Sequence, residues 1–137
     1  MNKEKSCGII VFNDDKVLVI KHNKGHFGFP KGHVEPGETE HETAKREVKE
    51  ETNIDALIID GFRDYITYSP KEKVIKDVIY FVGNAVSFDL KNQEKEVSNC
   101  LFVPSNEVLD LLTFEDEKNI FKKALTFKEN LNDKGSN

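Results

Sequence analysis

The chain has 137 residues, 37% of them hydrophobic and 33% charged, with a formal net charge of −5, which suits one domain with one core and argues against broad adhesion to nucleic acid or membrane. No apolar run has the length of a membrane span or the form of a signal peptide. Cys7 and Cys100 sit in apolar-alternating runs without metal-type spacing, so two buried thiols in a reducing compartment, and hence a cytoplasmic location, are expected.

Residues 6–12 and 16–22 are β-branched and apolar, and Asn13, Asp14 and Asp15 between them predict a hairpin turn. A loop follows in which Gly25, Gly28, Gly32 and Gly37 fall within 13 residues, together with Pro30 and Pro36. Glycine lets backbone approach a ligand, and successive N–H groups cradle anions; His26, Lys31 and His33 are interleaved with these glycines. Thr39 followed by Glu42 is a capping-box start. The helix it opens carries Glu47, Glu50 and Glu51 at i, i+3 and i+4, so three carboxylates share a face. Like charges at this spacing cost roughly 0.2–0.5 kcal/mol per pair, a cost that a divalent cation reverses. Glu-rich helices are most often solvated faces, and Lys45, Arg46 and Lys49 partly neutralise this one. The adjoining anion-binding loop tips the balance toward a metal–phosphate site, and carboxylates that leave positions to water and phosphate suit Mg²⁺.

Residues 56–61, 65–68 and 77–86 are further predicted strands, the last almost continuously apolar and therefore central and covered on both faces. Residues 101–103 form a short strand ended by Pro104. Ser105 is a good N-cap for a short helix carrying Val108, Leu109, Leu111 and Leu112. Thr113 is placed to cap another, in which Glu117, Ile120, Phe121, Ala124 and Leu125 recur at helical period. Residues 130–137 are polar and expected to fray. With no repeat and no linker, the chain predicts a single α/β domain over residues 1–137, a mixed sheet with helices on both faces. His22, His33 and His41 are expected at the surface.

Residues 32–54 resemble the signature of the Nudix hydrolases, G-x5-E-x7-R-E-U-x-E-E-x-G-U with U aliphatic. Gly32, Glu38, Arg46, Glu47, Val48, Glu50, Glu51 and Ile54 meet eight of its nine fixed positions. Asn53 stands where the family has Gly, just after the helix, where Asn is the residue other than Gly that best tolerates a left-handed backbone. Beyond this box, the runs FPKGHVEPGE, KDVIYF and EVSNCLFVP, with His26 and Phe27 before the first, resemble the asymmetric bis(5'-nucleosyl)-tetraphosphatases. Phe27 and Phe102 replace aromatics that are commonly Trp there.

The resemblance implies an α/β/α sandwich around a mixed central sheet, and hydrolysis of a dinucleoside tetraphosphate such as diadenosine tetraphosphate to a nucleoside triphosphate and a nucleoside monophosphate. It implies Mg²⁺ or Mn²⁺ held by the Gly32 carbonyl, Glu47, Glu50, Glu51 and Glu96, with Glu50 or Glu96 as the base that takes a proton from water. Glu38 and Arg46 match box residues that brace the loop against the helix. His26, Lys31 and Lys76 match positions that hold the phosphate chain, and Tyr68 and Phe114 match aromatics that stack the base. Relatives that cleave nucleoside triphosphates or RNA 5' ends use the same box and differ in releasing pyrophosphate. A non-catalytic nucleotide sensor would show an impaired box, and here every box glutamate is present.

Overall fold

Side chains along a strand point alternately to its two faces, and over residues 7–12 both sets are apolar and buried. Such a strand is stable only inside a sheet covered on both sides. In the computed structural model, which describes residues 2–93 and 95–135, the elements in chain order are β1 (Asn2–Asn13), β2 (Lys16–His22), β3 (Phe27–Gly28), β4 (Lys31–His33), α1 (Glu40–Thr52), β5 (Ala56–Tyr68), β6 (Val74–Ala85), β7 (Val97–Pro104), a 3-10 turn (Ser105–Glu107), α2 (Val108–Leu111) and α3 (Glu115–Gly135). The sheet runs β3-β2-β1-β6-β5, with β4 added to β1 and β7 to β2. Among the described residues, only β1 and β6 pair in parallel and the other pairings are antiparallel.

Alternation then sorts the core into two layers. Cys7, Ile9 and Val11 of β1, with Ile79 and Phe81 of β6, pack under Ala44 and Val48 of α1. Ile10 and Phe12, with Val78, Tyr80 and Val82, pack under Val108 of α2, Leu112 just after it, and Ile120, Phe121 and Ala124 of α3. The result is an α/β/α sandwich with β6 inside the sheet, between β1 and β5. Cys7 and Cys100 are buried free thiols. Among the described residues, no helix is long and apolar enough to cross a membrane.

Several boundaries differ from the sequence expectations. β1 starts at Asn2, because β6 runs beside it from Val74 onward and recruits four polar residues into the ladder. The two segments expected over residues 56–68 are one strand, in which Gly61 at φ 112° lies within a register shift between Ile58 and Arg63. Two short strands, β3 and β4, lie inside the glycine loop. Ser105 caps no helix; it begins the 3-10 turn, and its N–H donates to the Asp15 carbonyl at 2.8 Å. Thr113 does not cap α3 either, because its hydroxyl accepts the Phe27 N–H at 2.8 Å. Residues 130–135, expected to fray, continue α3; residues 136–137 lie outside the described residues.

Both ends of α1 are as local chemistry dictates. Thr39 accepts the Glu42 N–H at 3.1 Å while Glu42 accepts the Thr39 N–H at 2.9 Å, a complete capping box. Asn53 is left-handed at φ 66° and donates its N–H to the Lys49 carbonyl at 2.8 Å. Its side-chain amide also donates to the Asp89 carbonyl at 2.9 Å, a contact that no local pattern announces. Asn53→Gly relieves left-handed strain of about 1 kcal/mol and removes a bond of about 1 kcal/mol. Urea unfolding should therefore find the two proteins within about 1 kcal/mol of each other; a loss above about 2 kcal/mol would show that the Asp89 bond dominates.

Candidate active site

One guanidinium ties the glycine loop to α1. Arg46 donates through Nε and Nη2 to the two oxygens of Glu38 at 2.6 and 2.9 Å, a forked charge-assisted pair of the strong kind. Its Nη1 donates to Glu47 at 2.7 Å and to both Glu50 oxygens at 3.2 Å, and Nη2 reaches the His33 carbonyl at 3.0 Å. Glu38 in turn accepts the Glu35 N–H at 3.0 Å and the Thr43 hydroxyl at 2.8 Å. Arg46 first, then the Glu35 N–H, holds the Glu38 carboxyl at about 2. Glu38 and Arg46 are thus occupied with one another and with the loop, as a brace.

The three helix glutamates share a side of α1 but not an environment. Glu50 is half-exposed and lies on Arg46. Glu47 is largely buried; burial pushes its carboxyl up, with Arg46 opposing. Glu51 is 5% exposed, and burial first, then the charge of Glu47, pushes its carboxyl up to about 8. Its Oε1 takes only a long contact from the Lys31 N–H at 3.4 Å, and Oε2 is buried with no partner. Glu96, on the loop before β7, contributes to the same field, raising both Glu47 and Glu51 and favouring the charged form of Lys76.

Beside these carboxylates lies a mostly apolar cavity of about 390 Å³ where the ends of β2 and β5 meet the start of α3. His26, Lys31, Tyr68 and Phe114 all line it. Tyr68 and Phe114 are 41% and 51% exposed, so neither is spent on the core. Lys76 is not in the cavity wall; it stands opposite Tyr68 in the β5–β6 ladder, its ammonium disfavoured by burial and by Lys31. Lys31 belongs to both regions, with its side chain in the cavity wall and its N–H toward Glu51.

His22 is not the surface residue expected. Its ring stacks on His26 with centroids 4.0 Å apart, and burial, then His26 and Lys31, drive its pKa down to about 4, so it is neutral at pH 7. His33 and His41 are exposed, as expected. The cavity also contains Tyr80 and Glu117, two residues that sequence reasoning did not assign to a site. The available signal was Glu117 itself, a carboxylate on the apolar period of a helix.

A NUDIX domain family model matches residues 2–124. The chain belongs to the Nudix family. The asymmetrical bis(5'-nucleosyl)-tetraphosphatase of Sus scrofa is 32% identical over 139 residues, covering 90% of this chain and 94% of that protein. The RNA pyrophosphohydrolase of Nitratiruptor sp. is 28% identical over 111 residues, covering 72% and 71%. Among solved structures, an Ap4A hydrolase from C. elegans in a binary complex superposes with a TM-score of 0.84 at 24% identity, over 93% of this chain and 98% of that one; that likeness is one of fold.

Nudix hydrolases generally use divalent metals, and the residues here fit one. The unpartnered, buried Oε2 of Glu51 lacks the positive charge that would justify its burial. Gly32 passes so close to Glu47 that a Cβ there would fall inside the carboxylate, which sets the loop backbone directly against it. An all-oxygen set is the choice of Mg²⁺. Among the described residues no three His, Cys, Asp or Glu side chains are already drawn together tightly enough to grip an ion; Arg46 holds Glu47 and Glu50 instead.

Proposed function

We propose that this Nudix hydrolase cleaves dinucleoside tetraphosphates asymmetrically, to a nucleoside triphosphate and a nucleoside monophosphate. One observation carries the proposal: two exposed aromatics, Tyr68 and Phe114, line an apolar cavity that adjoins the acidic cluster, with Lys31 common to both. Its volume, about 390 Å³, is in the range of small-molecule sites. A nucleoside stacked there directs its phosphate chain past Lys31 toward Lys76, Glu47, Glu51 and Glu96. Two lysines along that path favour a long polyphosphate.

The Gly32 carbonyl, Glu47, Glu50, Glu51 and Glu96 are the groups that would hold Mg²⁺ or Mn²⁺, which when bound neutralises phosphate charge and makes water a stronger nucleophile. Water attacks phosphorus in line, and the bridging oxygen opposite leaves with the departing nucleotide. Lys31 and Lys76 offset charge as it gathers on the leaving phosphate. Glu96 takes the proton from water, because Arg46 engages both oxygens of Glu50 and leaves Glu96 the freer acceptor. Two buried free thiols suit a reducing compartment such as the cytoplasm.

Chromatographic identification of products from diadenosine tetraphosphate, nucleoside triphosphates and triphosphorylated RNA tests the proposal. Triphosphate plus monophosphate is expected; pyrophosphate released faster from a triphosphate or an RNA 5' end would place the chain with its RNA pyrophosphohydrolase relatives instead. Stacking on an aromatic is worth roughly 1–3 kcal/mol, so Phe114→Ala should lower kcat/KM for diadenosine tetraphosphate about tenfold to a hundredfold, mainly through KM. Lys76→Ala should reduce kcat as well. Equal effects of either change on a nucleoside triphosphate would remove the case for a long substrate.

A further inference from the structure

The loop that carries Glu96 is fastened from two sides. The Lys91 N–H donates to the Thr52 carbonyl at 3.0 Å and the Gln93 N–H to the Glu51 carbonyl at 3.1 Å, which ties its start to the last turn of α1. Its end is held by Asn23, whose backbone N–H donates to the Glu96 carbonyl at 2.9 Å and whose side-chain amide donates to the Lys95 carbonyl at 2.8 Å. Asn in a turn commonly bonds its own backbone; this amide donates to a segment 72 residues away. The turn over residues 22–26 that presents Asn23 is itself fixed. The Gly25 N–H donates to the His22 carbonyl and the His22 N–H to the His26 carbonyl, both at 2.8 Å, and the two imidazoles stack 4.0 Å apart. Gly25, at φ 100°, supplies the left-handed step that closes it. Both histidines line the cavity, so one turn forms part of the cavity wall and grips the Glu96 loop.

We propose that Asn23 is a positioning residue for the hydrolysis, holding the backbone at Lys95 and Glu96 so that the Glu96 carboxylate meets the attacking water. The inference rests on Glu96 being the base. Glu96 is exposed, so packing does not aim its side chain; the backbone from which it projects does. The carbonyls of Lys95 and Glu96 belong to the two peptide planes that flank the Glu96 Cα, and each plane is rigid. Tying both to Asn23 therefore fixes the direction of the Glu96 Cα–Cβ bond. The backbone half of this grip survives replacement of the Asn23 side chain, and the amide supplies the other half. A base must lie within about 3 Å of the proton it takes, and misplacing a group by about 1 Å costs on the order of 10²-fold in rate. The cavity is faced by the rings of His22 and His26, which a change at Asn23 leaves in place. The amide therefore bears on turnover and not on substrate binding.

Two measurements on the full chain test this. Steady-state kinetics with Mg²⁺, on whichever of diadenosine tetraphosphate and ATP is cleaved faster, should show Asn23→Ala lowering kcat about tenfold with KM within about twofold of the parent. Asn23→Asp keeps the shape of the turn but cannot donate, so it should be as slow as Asn23→Ala. Glu96→Gln should lower kcat about 10²–10⁴-fold, and adding Asn23→Ala to it should cost less than about twofold more, because a residue that acts through Glu96 has nothing left to position. In excess chelator, NMR relaxation should show backbone order at Lys95 and Glu96 falling in Asn23→Ala. Unchanged order at both residues, a kcat within about twofold of the parent, or the full Asn23→Ala loss repeated in the Glu96→Gln background overturns the inference while Glu96 remains the base. A Glu96→Gln variant that turns over at the parent's rate overturns the base assignment and the inference with it.

Discussion

Glu51→Gln should lower kcat by on the order of 10²–10³-fold or more and leave the fold, in excess chelator, at least as stable as the parent. Glu51 is buried, its Oε2 has no partner, and burial with the charge of Glu47 pushes its carboxyl up to about 8. Between its ordinary value of 4.5 and about 8, the folded protein keeps this proton and the unfolded chain does not. The unfolded state therefore binds fewer protons, and stability falls as pH rises through that window. The neutral amide keeps the shape and removes the titration. In chelator the parent should thus lose thermal stability relative to Glu51→Gln as pH rises through that window, and saturating Mg²⁺ should abolish the difference in slope. Parallel melting profiles for the two proteins, or turnover by the variant at the parent's rate, would rule out Glu51 as the carboxylate that a cation neutralises.

The second large effect belongs to Arg46. Deleting one partner of a fully buried ion pair costs about 3–5 kcal/mol, because the other charge is left without compensation. Arg46 serves Glu38, Glu47 and Glu50 together, with its side chain 23% exposed. Arg46→Ala should therefore lose about 2–4 kcal/mol in urea unfolding. Arg46→Lys should recover less than half of this, since an ammonium cannot make the fork to both oxygens of Glu38. Mg²⁺ should narrow the deficit by neutralising Glu47 in place of the guanidinium. A loss below about 1 kcal/mol for Arg46→Ala would mean that water substitutes for the network.

What the sequence made legible was whatever depends on a few neighbours. Thr39 and Glu42 lie three residues apart and close their box without help from the rest of the chain. Asn53 takes its left-handed turn for reasons internal to the helix end. The continuous apolar run of β6 implied cover on both faces, and the two core layers supply it. Polar residues 2–5 became strand only because β6 lies beside them, a long-range cause that propensity does not carry. The candidate site divides the same way. The box residues fall on one loop and one helix, so their proximity followed from spacing. The cavity is assembled from His22 on β2, Tyr68 on β5, Tyr80 on β6 and Glu117 on α3; nothing local distinguishes His22 from a surface histidine, and Glu117 stands out only as a carboxylate on the apolar period of its helix.

The parallel pairing of β1 with β6 bears on how the chain reaches this state. Partners along that ladder, from Asn2 with Val74 to Phe12 with Asn84, are 72 residues apart in sequence throughout. The central seam of the sheet therefore cannot close until β6 exists, and α1 with its glutamates lies inside the segment that must be looped out. Long-range pairing of this kind incurs its chain entropy before any contact compensates it. Refolding should accordingly take milliseconds to seconds rather than microseconds. During synthesis β1 should wait, solvated or held by a chaperone, until residue 85 has cleared the ribosome. Mutations that weaken the seam, such as Ile9→Ala or Phe81→Ala, should slow folding more than mutations in α3 that cost the same stability, because only the seam must form before the layers can be stacked upon it.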